Sequence, residues 1–150
     1  MPTRTRDSVN ADTSNQTLEQ VDGLVWPDPP PDATRVMKTV HTLRRKPIRL
    51  FTAEDLRVML GQREGISVLL PRALDVLERD PLAEGDYYPG DLLVAALKIP
   101  EGEWAANPNL VTRLRAVIDQ LTQRDDLDIY FPSDDEIWSR ITELKSSDIL

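Results

Sequence analysis

The sequence contains no cysteine and only one histidine among its 150 residues. Without thiols, neither a disulfide nor a thiolate zinc site can hold the fold together, so the chain depends on packing. No run approaches the roughly 18 apolar residues of a membrane-spanning helix, and the first residues lack the apolar centre of a secretory signal. We therefore expect a cytoplasmic protein that has no membrane partner.

The net charge is −8 at pH 7 and is unevenly distributed. Residues 35–49 carry six basic side chains and no acidic one, whereas residues 75–91 and 119–136 are mostly acidic. Phosphate binding depends on clustered Lys and Arg, so a basic protein is the expected partner and a nucleic acid is not. The run LRRKPIR at residues 43–49 lacks interleaved aromatic residues and a glycine-rich loop, and predicts either a solvated face or half of an ion-pair network.

Apolar residues recur at three- and four-residue intervals, which indicates helices. Few segments alternate as strands do, and no internal repeat is visible. We predict an all-α fold, a compact irregular bundle of about six helices, as one domain over residues 17–150 after a flexible, disordered tail over residues 1–16. The proline-rich stretch WPDPPPD at residues 26–32 predicts a stiff extended arm, which Trp26 could hold against the domain. The predicted helices cover residues 33–46, 53–61, 66–79, 92–98, 108–123 and a segment that follows Ser133.

Capping residues refine these boundaries. Asp32 and Asp91 are expected to cap the helices that follow them, and capping boxes are predicted at Thr52 with Asp55 and at Ser133 with Glu136. Pro71 predicts a start or a kink within the helix over residues 66–79, which should be the most buried of the six. Residues 128–131 are the one candidate for an extended strand.

The sequence gives little evidence for a catalytic site or a metal site. His41 lies in the first predicted helix without an identifiable partner, which favours a structural or surface role over that of a general base. The remaining enzyme hypothesis requires His41 to meet Asp86 or Asp91 in a pocket. Three adjacent acids at residues 134–136 could ligate a metal, but acids in the first turn of a helix are the favoured interpretation. We predict no catalysis, no cofactor and no metal.

The segment EGDYYPGDLL, residues 84–93, concentrates acids, tyrosines and glycines between two apolar runs. One interpretation is a turn in which Gly85 and Gly90 adopt unusual backbone angles. The other is a binding surface, since exposed tyrosines flanked by acids suit recognition of a basic protein.

Four motifs in residues 41–104 suggest a family. They are LR.KP (Leu43, Arg44, Lys46, Pro47), DLR...GQ..G (Asp55, Leu56, Arg57, Gly61, Gln62, Gly65), LLP.AL (residues 69–74) and DPL.EGD.YPGDLL (residues 80–93). In this order they resemble the immunity proteins of contact-dependent growth inhibition (CDI) systems.

The resemblance implies a small cytosolic protein that binds the toxic C-terminal domain of a cognate contact-delivered effector, often a nuclease, without catalysis. Motif residues shared by members that meet different toxins should define the common fold, so the expected interface extends to exposed acids elsewhere. A non-catalytic helical adaptor or regulatory protein, and a small enzyme using His41, remain the alternatives, and the oligomeric state is open. The predicted toxin-binding residues are Glu84, Asp86, Tyr87, Tyr88, Asp125, Asp126 and Asp128.

Overall fold

The structure is a computed structural model that describes residues 13–150. Within that range it contains helices, one 3₁₀ turn (Ile48–Leu50) and no strand beyond an isolated bridge between Glu84 and Pro89, which confirms the all-α class. The described helices are α1 (Leu18–Asp22), α2 (Arg35–Arg44), α3 (Ala53–Gly61), α4 (Ile66–Arg79), α5 (Asp91–Leu97), α6 (Glu101–Ala105), α7 (Pro108–Thr122), α8 (Leu127–Tyr130) and α9 (Glu136–Ser146).

The described helices outnumber the predicted six because α1, α6 and α8 are only four or five residues long. One turn is too short to display a helical period. Residues 128–131, the candidate strand, lie mostly in α8 and are therefore helical rather than extended.

The core forms around α3, α4 and α5, which pack against one another. Helix α7 packs on α4, α9 packs on α5, and α2 packs on α3, so the three central helices are covered on several sides. Every residue of α5 except Ala95 is buried. The expectation that the helix over residues 66–79 would be the most buried is therefore wrong, since α4 keeps a partly exposed face and α5 does not.

Helix starts differ from the predictions at several places. The capping box at Thr52 is confirmed, with both reciprocal hydrogen bonds to Asp55 present. Helix α2 begins two residues later than predicted and is capped by Thr34 instead of Asp32. Helix α9 is capped by Asp135, whose carboxylate accepts from the amide of Ile137 at 2.9 Å, and not by Ser133. At both of these helices, a polar side chain two residues after the predicted cap accepts the capping hydrogen bond.

Proline and glycine positions also shape the helices. Helix α4 begins at Ile66 and continues through Pro71, so Pro71 does not start it. Gly90 is the N-cap of α5 with φ 92°, and Asp91 is the first residue inside the helix. The predicted role of Asp91 as a cap is therefore wrong, and its carboxylate is free to bind elsewhere.

Trp26 fastens the proline-rich arm to the domain, as the sequence suggested. Its ring makes an edge contact with His41, with centroids 5.0 Å apart. The guanidinium of Arg44 lies 4.5 Å from the ring centroid on the same tryptophan, within reach of a cation–π interaction.

The basic run of residues 43–49 supplies ion pairs. Arg44 is only 1% exposed and binds Asp22 at 2.9 Å and Glu64 at 2.7 Å. Lys46 binds Asp55 at 2.5 Å, and Arg45 binds two further acids at the surface. Of the two interpretations left open by the sequence, the ion-pair network is confirmed for these three residues.

The predicted tail, residues 1–16, falls mainly on residues 1–12, which lie outside the described residues, and it stays a prediction. The first described residues are hydrogen-bonded: the carbonyls of Ser14 and Gln16 accept from the amides of Arg49 and Ile48. No helix in the described part of the chain combines the length and apolarity needed to cross a bilayer.

Candidate functional site

The loop between α4 and α5 is organised by one buried carboxylate. Asp91 is 3% exposed, and its two oxygens accept from the amides of Gly85 at 2.6 Å and Tyr87 at 3.1 Å. These bonds run backward along the chain, so α5 holds the loop that precedes it. We call residues 84–90 the tyrosine turn.

Helix α3 holds the same turn from the other side. The amide of Asp86 donates to Glu54 Oε1 at 2.9 Å, and Arg57 donates to both oxygens of Glu54 at 2.6 Å. Arg57 Nε also lies 3.8 Å from Asp91 Oδ2, so one guanidinium links the two carboxylates. A Cβ on Gly85 would lie 2.6 Å from Glu54 Oε1 and 3.0 Å from Asp91 Oδ2, so a side chain here would displace these two carboxylates.

The hydrogen bonds from Arg57 lower the pKa of Glu54 below that of an ordinary glutamate, and the amide of Asp86 adds to this effect against the opposing influence of burial. A lowered pKa in the folded state means that ionised Glu54 stabilises the fold. That contribution is complete above the unfolded value of about 4.3 and disappears as the pH falls through the lowered folded value.

We expect Glu54→Gln to reduce the free energy of unfolding by about 1–2 kcal/mol at pH 7, because the amide group cannot accept both bonds from Arg57. The deficit should shrink toward zero as the pH falls below about 4. Denaturant unfolding of both proteins across pH 2.5–7.5 measures it. The matched control is Glu84→Gln, an exposed glutamate in the same turn. A deficit that is equal at all pH values would contradict a charge-dependent contribution.

The two tyrosines of the tyrosine turn are exposed to solvent. Tyr87 is 70% exposed, with the guanidinium of Arg57 4.5 Å from its ring centroid, and Tyr88 is 44% exposed. Burial of part of its ring raises the pKa of Tyr88, an effect that Lys98 opposes. A groove of about 330 Å³ lies between this turn and helices α3 and α5. The predicted residues Glu84 and Asp86 are also exposed.

The second predicted group lies in residues 125–136, which contain six acids and no basic residue. We call this stretch the acidic segment. Asp125 and Asp128 are exposed, whereas Asp126 is paired with Arg124 at 2.9 Å. The structure therefore leaves Asp125 and Asp128 available to a partner and gives Asp126 a neighbour of its own.

The acidic segment contacts the tyrosine turn through Phe131. This buried ring packs so closely on Gly90 that a Cβ there would lie 2.4 Å from Phe131 Cζ. Tyr88 also lies within electrostatic reach of Asp135 and Glu136. The tyrosine turn and the acidic segment are thus in contact, although residues 90 and 131 are far apart in the chain.

The enzyme hypothesis finds little support in this geometry. Both oxygens of Asp91 are occupied by backbone amides, and His41 packs against Trp26 on the arm. Among residues 13–150, no group of three or more His, Cys, Asp or Glu side chains is arranged to hold a metal ion. Asp135, one of the three adjacent acids considered as ligands, caps α9.

Sequence reasoning missed two residues that shape the site. Glu54 was assigned only to a helix, and Arg57 only to that helix and to a family motif. Glu54 nevertheless binds the amide of Asp86, 32 positions away in the chain. The three-residue spacing of Glu54 and Arg57 on one helix face is the signal for a mutual ion pair. No pattern in the sequence around Glu54 indicates that its carboxylate also accepts a hydrogen bond from the amide of Asp86.

Comparison with known proteins identifies one family that matches this chain. A family model described as CDI immunity proteins matches residues 20–114, which is more than half of the chain. The matched region includes α3, α4, the tyrosine turn and α5, and it ends within α7. A search of curated proteins and a search of solved structures each gave no match.

Proposed function

Because the chain belongs to the family of CDI immunity proteins, we propose that it neutralises a toxin domain by binding it in a stable complex. The partner is the toxic C-terminal domain of a cognate contact-delivered effector, met in the cytoplasm. The immunity protein covers the toxin's active site or a surface that the toxin needs. No bond is made or broken by the immunity protein itself.

Besides the family match, one structural observation carries this proposal: the backbone of the tyrosine turn is fixed by hydrogen bonds, while its two tyrosines are exposed. Two carboxylates and one guanidinium fix the backbone of the turn, while Tyr87 and Tyr88 remain accessible. Tyrosine is enriched among residues that dominate binding energy, and a preformed loop has less conformational freedom to lose on association. A surface of this kind suits a tight protein complex.

The charge supports a cationic toxin, and a nuclease domain fits this description. A protein that binds nucleic acid needs Lys and Arg to contact phosphates. An inhibitor with a net charge of −8 would attract such a domain over long range, which raises the association rate. We propose that Glu84, Asp86, Asp125 and Asp128 contribute to this attraction. Asp126 contributes less, because its pair with Arg124 neutralises its charge.

Coexpression in a bacterial host tests the proposal. The toxin domain encoded beside this protein should arrest growth when expressed alone, and coexpression should restore growth and give a copurifying complex. A Gly102→Ala variant is the matched control, since a Cβ there meets nothing within 4 Å, and it should protect fully. Continued growth arrest together with no copurifying complex would refute the assignment.

A further inference from the structure

Helix α8 exposes an aliphatic side chain that its own fold does not use. Ile129 is 78% exposed, the highest value among the exposed large hydrophobic residues within residues 13–150, and no residue of α8 is buried. A single exposed aliphatic residue is common on protein surfaces and indicates nothing alone. Its surroundings decide whether it belongs to a docking surface.

A preformed groove lies between α8 and the start of α9, and its wall includes Asp128, the residue that precedes Ile129 in the chain. Its walls are Leu127, Asp128, Phe131, Pro132, Ser133 and Trp138, and its volume is about 500 Å³. The indole of Trp138 is fixed by hydrogen bonds from Nε1 to the carbonyls of Pro132 at 3.0 Å and Phe131 at 3.3 Å. The groove is therefore held open by side chains that are already in place.

The charge around the groove selects the occupant. All the wall residues except Trp138 belong to the acidic segment, and Asp128 is the one acid on the wall. Within that segment, Asp126 pairs with Arg124 and Glu136 with Lys98. Asp125 and Asp134 are exposed as well. An apolar groove bordered by acids complements an apolar side chain that is flanked by Lys or Arg on a partner.

The position of the groove also matters. The match to the family covers residues 20–114, whereas α8, the groove and Ile129 all lie beyond residue 114. A surface outside the shared region is where members that meet different toxins would differ.

We propose that the groove between α8 and α9, together with the exposed Ile129 that follows Asp128 in the chain, is a docking surface for the cationic face of the toxin domain. This inference rests on the proposed function and adds a location to it. An apolar side chain of the toxin enters the groove beside Ile129, while Lys or Arg residues around it meet Asp125 and Asp128. The tyrosine turn, joined to the acidic segment through Phe131, forms the adjoining part of the same interface.

Binding of the purified toxin domain to full-length variants tests the inference by calorimetry or surface plasmon resonance. Ile129→Ser should weaken the affinity at least about tenfold, as loss of a central apolar contact does. The matched control is Val25→Ser, a change at a similarly exposed aliphatic residue (75% exposed) just before the arm, and this variant should bind as the wild type does. The double change Asp125→Asn and Asp128→Asn should slow association and flatten its dependence on salt.

The possible results distinguish a failure of the proposed docking surface from a failure of the proposed immunity function, on which the docking surface depends. Because Ile129, Asp125 and Asp128 are exposed, their variants should keep the wild-type unfolding midpoint. Wild-type affinity in both would overturn the docking surface and leave the immunity function intact. A free protein whose dimer is lost with Ile129→Ser would assign the groove to a second copy and also overturn it. If the wild type bound no toxin domain, both proposals would fail.

Discussion

Arg44→Met should lower the free energy of unfolding by about 4 kcal/mol, the largest effect we expect from one substitution. Arg44 is 1% exposed and binds Asp22 and Glu64 through opposite ends of its guanidinium, while Nη2 also donates to the carbonyl of Leu24 at 2.7 Å. Methionine retains much of the volume but none of the charge. The carboxylates of Asp22 and Glu64 would then lose their cation, and Trp26 would lose its contact with the guanidinium.

The neighbouring arginine provides the control for Arg44→Met. Arg45 also forms two ion pairs, with Glu19 at 3.2 Å and Asp28 at 3.0 Å, but its side chain is 44% exposed. Exposed pairs contribute at most about 1 kcal/mol, so Arg45→Met should have a small effect. Urea unfolding monitored by tryptophan fluorescence and by circular dichroism measures both. Equal effects for the two substitutions would show that burial of Arg44 does not matter.

Gly90→Ala should destabilise the protein by about 3 kcal/mol, for two separate reasons. The backbone at Gly90 has φ 92°, where a side chain adds strain of about 1–2 kcal/mol. The new methyl group would also lie 2.4 Å from Phe131 Cζ, which forces the buried ring to move and adds about 1–3 kcal/mol. Since Phe131 joins the acidic segment to the tyrosine turn, this displacement should reach both parts of the proposed interface.

The control for Gly90→Ala is Gly102→Ala in α6, where the new methyl group finds open space. Alanine favours helix over glycine, so this variant should be as stable as the wild type or slightly more stable. Thermal and urea unfolding of the two variants gives the comparison. A Gly90→Ala protein with wild-type stability would mean that Phe131 does not pack on the turn as described.

The helices were predictable wherever a local pattern is long enough. Helix α7 was expected over residues 108–123 and occupies Pro108–Thr122, because its apolar face repeats over four turns behind a proline that suits a helix start. Helix α4 was equally clear. Helices of a single turn were missed, since four or five residues do not establish a period.

The side-chain contacts that hold the tyrosine turn and the core ion pairs in place could not be predicted from the sequence. Asp91 follows a glycine before an apolar run, which is the pattern of a cap, but the glycine itself takes the cap and the carboxylate turns back to Gly85 and Tyr87. The role of Arg44 depends on Asp22 and Glu64, about 20 positions away on either side. Such partners are set by the packing of helices, and a linear pattern carries no information on that packing.

The central claim is that this protein neutralises its toxin by occupying it, without chemistry of its own. Titration of the purified toxin domain with purified immunity protein, with toxin activity as the readout, tests this most directly. We predict that activity falls in proportion to the immunity protein added and reaches zero at a fixed molar ratio, equally for the wild type and His41→Ala. Loss of toxin activity at far below that ratio, abolished by His41→Ala, would contradict the account.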